Sequence, residues 1–323
     1  MDHQTPRKSK RKLYAVLLLI LLVAGAILYG LADRYLIQHV EVVVEDNNPG
    51  RSAASYESTA DNNNNSDTSE AKYDDWSYSS DNTQIKIDQV ESGSGADKIT
   101  YYVADVQLKN GTDLLSAFAD NSFGRNIIEN TSEIASENNA LFAINGDYYG
   151  FRSDGVIIRN GTLYRDEPAR TGLALFNDGT MKSYEEEETD SSSLLAEGAI
   201  NTLSFGPVLI KDGEVINNFD HVKIDTNFGN RSIQNANPRT GIGMLAPNHY
   251  VFIVVDGRKE GYSRGMTLTE FAQTFADLGC TEAYNLDGGG SSTMYFMGRV
   301  VNNPLGKNRE RGVSDILYVK EGE

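Results

Sequence analysis

The sequence is poor in the residues that staple small domains together. It has one cysteine, Cys280, in 323 residues, so no intramolecular disulfide can form and stability must come from a core. Four scattered histidines beside that cysteine leave no zinc-type spacing. Positive charge is scarce too: 29 Lys and Arg against 46 Asp and Glu give a net charge of −17. That balance excludes the basic footprint that a nucleic-acid backbone requires, and it suits a domain kept soluble by its own charge. Internal repeats are absent. No G-x-G-x-x-G opens a helix and no G-x-x-x-x-G-K-[ST] occurs, so both common nucleotide-binding motifs fail on spacing.

What basic charge there is gathers at one end. Arg7, Lys8, Lys10, Arg11 and Lys12 precede "LYAVLLLILLVAGAILYGLA", Leu13 to Ala32, which is free of charge. Roughly 20 apolar residues rising about 1.5 Å each span a hydrocarbon core about 30 Å thick. The basic flank stays cytoplasmic, which puts everything beyond Asp33 outside. A cleaved signal peptide ending near Ala24-Gly25-Ala26 is the alternative, but its apolar core ordinarily runs only about 7–15 residues. Residues 1–12 are thus assigned to a cytoplasmic tail and 13–32 to a transmembrane signal-anchor, giving a single-pass membrane protein.

"VEVVVED" follows as a candidate juxtamembrane strand, and then a polar stretch rich in Asn, Ser and Asp with almost no aliphatics. Such a composition cannot bury enough apolar surface to offset the entropy of ordering, so 33–83 is expected to be a flexible stalk. Residues 84–323 then form one globular domain. Within it, "VIIRNGTLYR", "VLIKDGEVIN", "ALFNDGTMKSY" and "MYFMGRVVNN" centre on Asn-Gly, Asp-Gly or Gly-Arg pairs that suit tight hairpin turns. In "TLTEFAQTFADLG", Thr267 and Glu270 form a capping box, the apolar residues make one stripe, and Gly279 supplies the stop. A weaker helix falls in "NIIENTSEIASENN". Many hairpins and few helices predict an α+β fold with largely antiparallel sheets.

Chemistry concentrates where apolar strands end. "CTEAYNL" reads as a buried strand that releases the chain into "DGGGSST", Asp287 to Thr293. Three consecutive glycines cost conformational entropy and need a reason. Bare amides of Gly288 and Gly289, with the hydroxyls of Ser291, Ser292 and Thr293, can form an anion nest. Asp287 beside it would repel a phosphate unless it serves another part of the ligand, which points to a sugar phosphate. A bulged turn without function is the plain alternative. "NPRTGIG" offers Arg239, stiffened by a proline and suited to bidentate phosphate contact. "VFIVVDGR" ends in Asp256 and Arg258. "LFAINGDYYG" ends in Asn145, Asp147 and two tyrosines whose rings could stack on a sugar. Several strands ending in such residues suggest one shared cleft, whereas each alone is ordinary turn chemistry.

The order "AINGDYY", "DGVIIRNGTLY", "FGPVLIKDGE", "NPRTGIG", "VVDGR", "GMTLTEFAQTFADLG", "NLDGGGSSTM", "VVNNP", "ERGVSDILYV" resembles the phosphodiester glycosidase family. That family includes N-acetylglucosamine-1-phosphodiester α-N-acetylglucosaminidase, the uncovering enzyme, and many bacterial members linked to exopolysaccharide. The resemblance covers most of the extracytoplasmic part, and its most specific element is the D-G-G-G-S-S run. It implies a hydrolase that removes a sugar from a sugar-1-phosphodiester by cutting on the sugar side. It also implies that Asn145, Arg239, Asp256, Arg258, Asp287, Gly288, Gly289, Ser291, Ser292 and Thr293 line the active site, with Asp147 a further candidate. Asp287 is the first choice for base or nucleophile, with Asp147 and Asp256 the alternatives. No cofactor is implied, and no ligand spacing demands a metal, although a divalent cation at the aspartates stays open. The expected partners are a phosphoglycan or sugar-1-phosphodiester at the cell surface and the membrane itself. The rival function is a non-catalytic module that binds wall or exopolysaccharide glycan.

Overall fold

The computed structural model describes residues 7–44, 71–109, 114–224 and 232–320. Two antiparallel sheets pack face to face, with one helix on each outer face. The larger sheet has nine strands. Its centre consists of Glu282–Leu286, Arg239–Ala246, His249–Val255, Ile99–Leu108 and Thr83–Ser92, paired in that order. The smaller has five strands, with Ala140–Asn145 between Met294–Phe296 and Asp315–Lys320. Every described strand pair is antiparallel, as the hairpin-rich sequence predicts.

Period-two alternation sorts the core into layers. Along His249–Val255, Phe252 and Val254 face the second sheet, where Phe252 meets Phe142 with ring centroids 5.1 Å apart. Val251, Ile253 and Val255 face outward onto Phe271, Ala272 and Phe275 of the helix Leu268–Asp277. The other outer face packs Ala143, Tyr295 and Ile316 on Ile134 and Ala135 of the helix Thr131–Glu137. The helix Leu268–Asp277 carries the capping box expected of Thr267 with Glu270, and the helix Thr131–Glu137 carries one as well, Asn130 with Glu133. A third helix, Ser191–Ala196, is capped by Asp190 and carries too little apolar periodicity to be read beforehand.

The Asn160-Gly161 and Asp212-Gly213 turns have positive φ at both residues, which lets the strands twist without splaying. The fourth hairpin turns at Met297-Gly298, both with positive φ, one residue earlier than the Gly-Arg pair expected.

The N-terminal helix Arg7–Tyr35 contains Lys12–Arg34, long and apolar enough to cross a membrane by length and composition. It fits a signal anchor or a signal sequence alike. Much of the stretch read as a stalk, residues 45–70, lies outside the described residues, and the parts flanking it are built into the domain. His39–Val43 pairs with Ser122–Arg125. Ser77–Ser79 pairs with Thr83–Ser92, and Tyr78 is buried in the core between the sheets. The fold therefore reaches back before Gln84. Short strands rich in Ser and Tyr carry no alternation for a sequence reading to catch.

A chain beginning at Ala71 should accordingly be more stable than one beginning at Gln84. The shorter chain loses the buried Tyr78 and leaves Thr83–Ser92 as a bare edge, a difference of about 2 kcal/mol or more in urea unfolding. Equal midpoints would return the boundary to Gln84.

Candidate active site

Register brings the strand ends together. Thr240 lies opposite Leu286, and Arg239 lies opposite Val255, so Asp287, Arg239 and the Asp256-Gly257-Arg258 turn emerge at one sheet edge. Ala140–Asn145 of the smaller sheet ends beside them. Its buried Asn145 donates from Nδ2 to the Asp287 carbonyl at 2.8 Å. Asn145 Oδ1 in turn accepts from Thr240 Oγ1 at 2.7 Å and from the Thr293 amide at 3.2 Å. Asn145 is thus a clamp on both ends of the glycine loop and does not line the pocket.

Each glycine of the loop has its own steric reason. A Cβ on Gly288 would come within 2.6 Å of the Pro238 carbonyl oxygen. On Gly289 it would meet Arg258 Nη2 at 3.0 Å, and on Gly290 Arg311 Cδ at 3.0 Å. Gly289 also has a φ of 65°, which a side chain would strain. The Gly289 amide donates to the Pro238 carbonyl at 2.9 Å, and the Ser291 amide to the Gly288 carbonyl at 3.3 Å. Of the two amides expected to stay bare, that of Gly289 is engaged within the fold, as are those of Ser291 and Thr293 further along the loop. What the bare backbone receives is arginine.

The resulting pocket, about 120 Å³, is lined by two unlike sets of residues. Arg239, Arg258, Arg311 and Asp287 supply its charge, while Tyr148, Phe205 and Leu286 are among its apolar lining. Asp287 Oδ2 accepts from Ser291 Oγ at 2.6 Å and from Arg311 Nη2 at 3.0 Å. Arg311 also reaches Ser291 Oγ through Nη2 at 2.6 Å. Oδ1 of Asp287 has no partner among the described residues, so one carboxylate oxygen is held and the other is available.

Arg239 is buried. Its Nε donates to the Met266 carbonyl at 3.0 Å, and Nη2 to the carbonyls of Ile233 and Asn235 at 2.6 and 2.9 Å. Burial and then the neighbouring Arg258 pull its pKa down to about 10. Arg258 donates from Nη2 to Asn237 Oδ1 at 3.0 Å and adopts a φ of 61°, uncommon away from glycine. The pocket therefore gathers three guanidinium groups around one carboxylate, Asp287, which is bonded to Arg311.

Other anticipated residues sit elsewhere. Asp147 does not line the pocket. Its Oδ1 accepts from the Tyr148 amide at 2.5 Å and Oδ2 from the Ser204 amide at 2.6 Å, with Arg159 Nη2 3.8 Å away. Arg159 is fully buried and bonds Asp315 Oδ2 at 2.7 Å, while Asp315 Oδ1 accepts from the Asp147 amide at 2.8 Å. Burial pushes Asp315 up to about 6 against the pull of Arg159. Asp256 is likewise committed, accepting from Asn302 Nδ2 at 2.8 Å, Tyr262 Oη at 2.7 Å and the Asn303 amide at 2.9 Å. Burial raises its pKa. Both aspartates thus have their oxygens engaged by local donors and fasten loops. Ser292 and Thr293 are buried and away from the pocket, with hydroxyls unpartnered among the described residues. No group of three or more His, Cys, Asp or Glu able to hold a metal occurs among the described residues.

Arg311 and Phe205 escaped the sequence reading, although both lie in motifs that carried the resemblance. A lone arginine before a terminal strand looks like surface charge. Of the paired tyrosines, Tyr148 lines the pocket, whereas Tyr149 is buried and donates to the Ser314 carbonyl at 3.0 Å.

The motif order belongs to one class of protein, the phosphodiester glycosidases, whose family profile matches residues 138–320. The chain is a member of that family. Among individual proteins it is 34% identical over 206 residues to the SPbeta prophage-derived uncharacterized protein YomE of Bacillus subtilis (strain 168), spanning 61% of this chain and 30% of that one. Its fold is similar to the catalytic domain of zebrafish N-acetylglucosamine-1-phosphodiester alpha-N-acetylglucosaminidase, solved auto-inhibited by its pro-peptide. There the TM-score is 0.56 at 20% identity, over 75% of this chain and 85% of that one. A hypothetical protein from Synechocystis shares the fold at a TM-score of 0.54 and 15% identity, over 78% of this chain and 64% of that one.

If Asp287 alone among these aspartates acts at the reacting bond, Asp287→Asn should lower turnover of a sugar-1-phosphodiester by about 10²-fold or more. Asp147→Asn and Asp256→Asn should instead lower unfolding stability by about 1–3 kcal/mol while the folded protein keeps turnover within about tenfold. A folded Asp147→Asn protein as inactive as Asp287→Asn would move the chemistry to Asp147.

Proposed function

We propose that this protein hydrolyses a sugar-1-phosphodiester on the sugar side, at the extracytoplasmic face of the membrane that its N-terminal helix anchors. The observation that carries this reading is the gathering of Arg239, Arg258 and Arg311 around Asp287 in one pocket, with Arg239 buried and held by carbonyl oxygens and Arg311 bonded to Asp287. Three guanidinium groups around one carboxylate leave an excess of positive charge, which an anionic phosphodiester complements. The apolar wall of Tyr148 and Phe205 offers the face on which a sugar ring stacks.

The division of labour follows from the bond to be broken. The leaving group is a phosphate monoester, whose second pKa is about 6, so it departs without the strong general acid that an alkoxide needs. One carboxylate in the pocket is then sufficient. Arg239 and Arg258 take up the charge that grows on the leaving oxygen, as pre-organised donors do. Arg311 and Ser291 hold Oδ2 of Asp287 and leave Oδ1 for the anomeric centre. There Oδ1 either activates water or attacks, the two outcomes being separated by carboxyl spacings of about 6.5–9.5 Å and about 5 Å in glycosidases generally. Cell-surface or exopolysaccharide phosphoglycans are the proposed substrates, because the domain would face them.

The test uses purified full-length protein in detergent and a synthetic N-acetylglucosamine-1-phosphodiester. Wild type should release free reducing sugar and the phosphate monoester together, and Arg258→Ala should weaken substrate binding. Saturable binding with no product would identify a glycan-binding module instead.

A further inference from the structure

We propose that the cleft at the foot of the N-terminal helix binds the phosphate headgroup of an anionic membrane phospholipid and so fixes how the domain sits on the bilayer. The cleft, about 520 Å³, adjoins the catalytic pocket at Ile224, and its arginines other than Arg152, which lies over Tyr148, are apart from that pocket's lining. The helix contributes Gly30, Asp33 and Arg34, and the domain contributes Arg125, Arg152 and Arg170. In a chain of net charge −17, four arginines around one cleft are a marked local reversal.

Depth identifies the ligand. The apolar run ends at Ala32, so in a spanning helix Gly30 lies within the hydrocarbon and Asp33 and Arg34 at headgroup level. The domain is held to that level. Asn126 donates from Nδ2 to the Asp33 carbonyl at 2.9 Å and to the Ile37 carbonyl at 2.8 Å, satisfying the helix end. His39–Val43 then pairs with Ser122–Arg125, which leaves Arg125 on the cleft. Leu36, Val40 and Val43 are exposed beside it, apolar side chains that suit the acyl boundary.

The charges inside the cleft leave room for an anion. Asp33 pairs with His39 at 3.1 Å and Asp154 with Arg170 at 2.5 Å. Arg152 donates to the carbonyls of Ser204 and Ile224 at 3.1 and 3.3 Å and stacks over Tyr148, without a carboxylate partner. Arg125 has no hydrogen bond or ion pair among the described residues. A phosphate is the planar-fork partner that guanidinium groups recognise, and anionic leaflets present it at this depth.

The full-length protein, reconstituted in nanodiscs of mixed phosphatidylcholine and phosphatidylglycerol, would be released for native mass spectrometry and its retained lipids counted. Wild type should retain phosphatidylglycerol in clear preference to phosphatidylcholine. Arg125→Glu should lower that retention about tenfold, the equivalent of one charge-assisted hydrogen bond, while Arg125→Lys should largely preserve it. Soluble glycerol phosphate, which offers the same anion without acyl chains, should leave the lipid in place. Equal retention of the two lipids by wild type would overturn the proposal whatever the variants do. Undiminished retention by folded Arg125→Glu, or displacement of the lipid by glycerol phosphate, would overturn it as well.

Discussion

A guanidinium group can lie flat against a polypeptide only where no Cβ intervenes, and the catalytic pocket depends on that constraint. Gly289 and Gly290 are the places where Arg258 and Arg311 rest on bare backbone. Gly288 lets the loop itself close onto the Pro238 carbonyl. Three glycines in a row are entropically costly, so a loop that keeps them must gain from close approach. Here the gain is a cluster of positive charge brought next to one carboxylate. The arginines bring charge, the glycines bring proximity, and Asn145 keeps the loop from relaxing away from either.

Beneath the site, buried ions do positional work. Arg159 lies between Asp315 and Asp147, and Asp147 in turn accepts the amides of Tyr148 and Ser204. Removing one member of such a cluster leaves an uncompensated buried charge and is costly, although the intact cluster need not add net stability. Its effect is geometric. It fastens Tyr148 and the segment leading to Phe205, the two aromatic residues of the pocket, to the end of Asp315–Lys320 in the smaller sheet.

Much of this was legible in the sequence where local chemistry had one solution. Asn160-Gly161 and Asp212-Gly213 could only turn with positive φ, and Thr267 with Glu270 could only begin a helix. The strand ends that converge were legible as well, because long apolar runs stopped at Asp, Asn and Gly. Orientation was not legible. Asp147, Asp256 and Asp287 all follow a buried strand, yet two turn inward to accept local amides and side-chain donors. Only the long-range neighbours decide this, namely Ser204 for Asp147 and Asn302 for Asp256. Arg311 was hidden for the same reason: its role exists only because Gly290 lies 21 positions earlier in the chain and directly beneath it. His39–Val43 was legible as a candidate strand, whereas Lys72–Tyr73 and Ser77–Ser79 escaped because edge strands this short carry no periodicity.

The central claim is that the arginine wall holds the phosphate as leaving group while Asp287 directs attack at the sugar. Hydrolysis of a sugar-1-phosphodiester in water enriched in oxygen-18, with both products analysed by mass spectrometry, tests it most directly. The account predicts one labelled oxygen in the released sugar and none in the phosphate monoester. Label in the phosphate would mean attack at phosphorus, and it would contradict the assignment of the two walls.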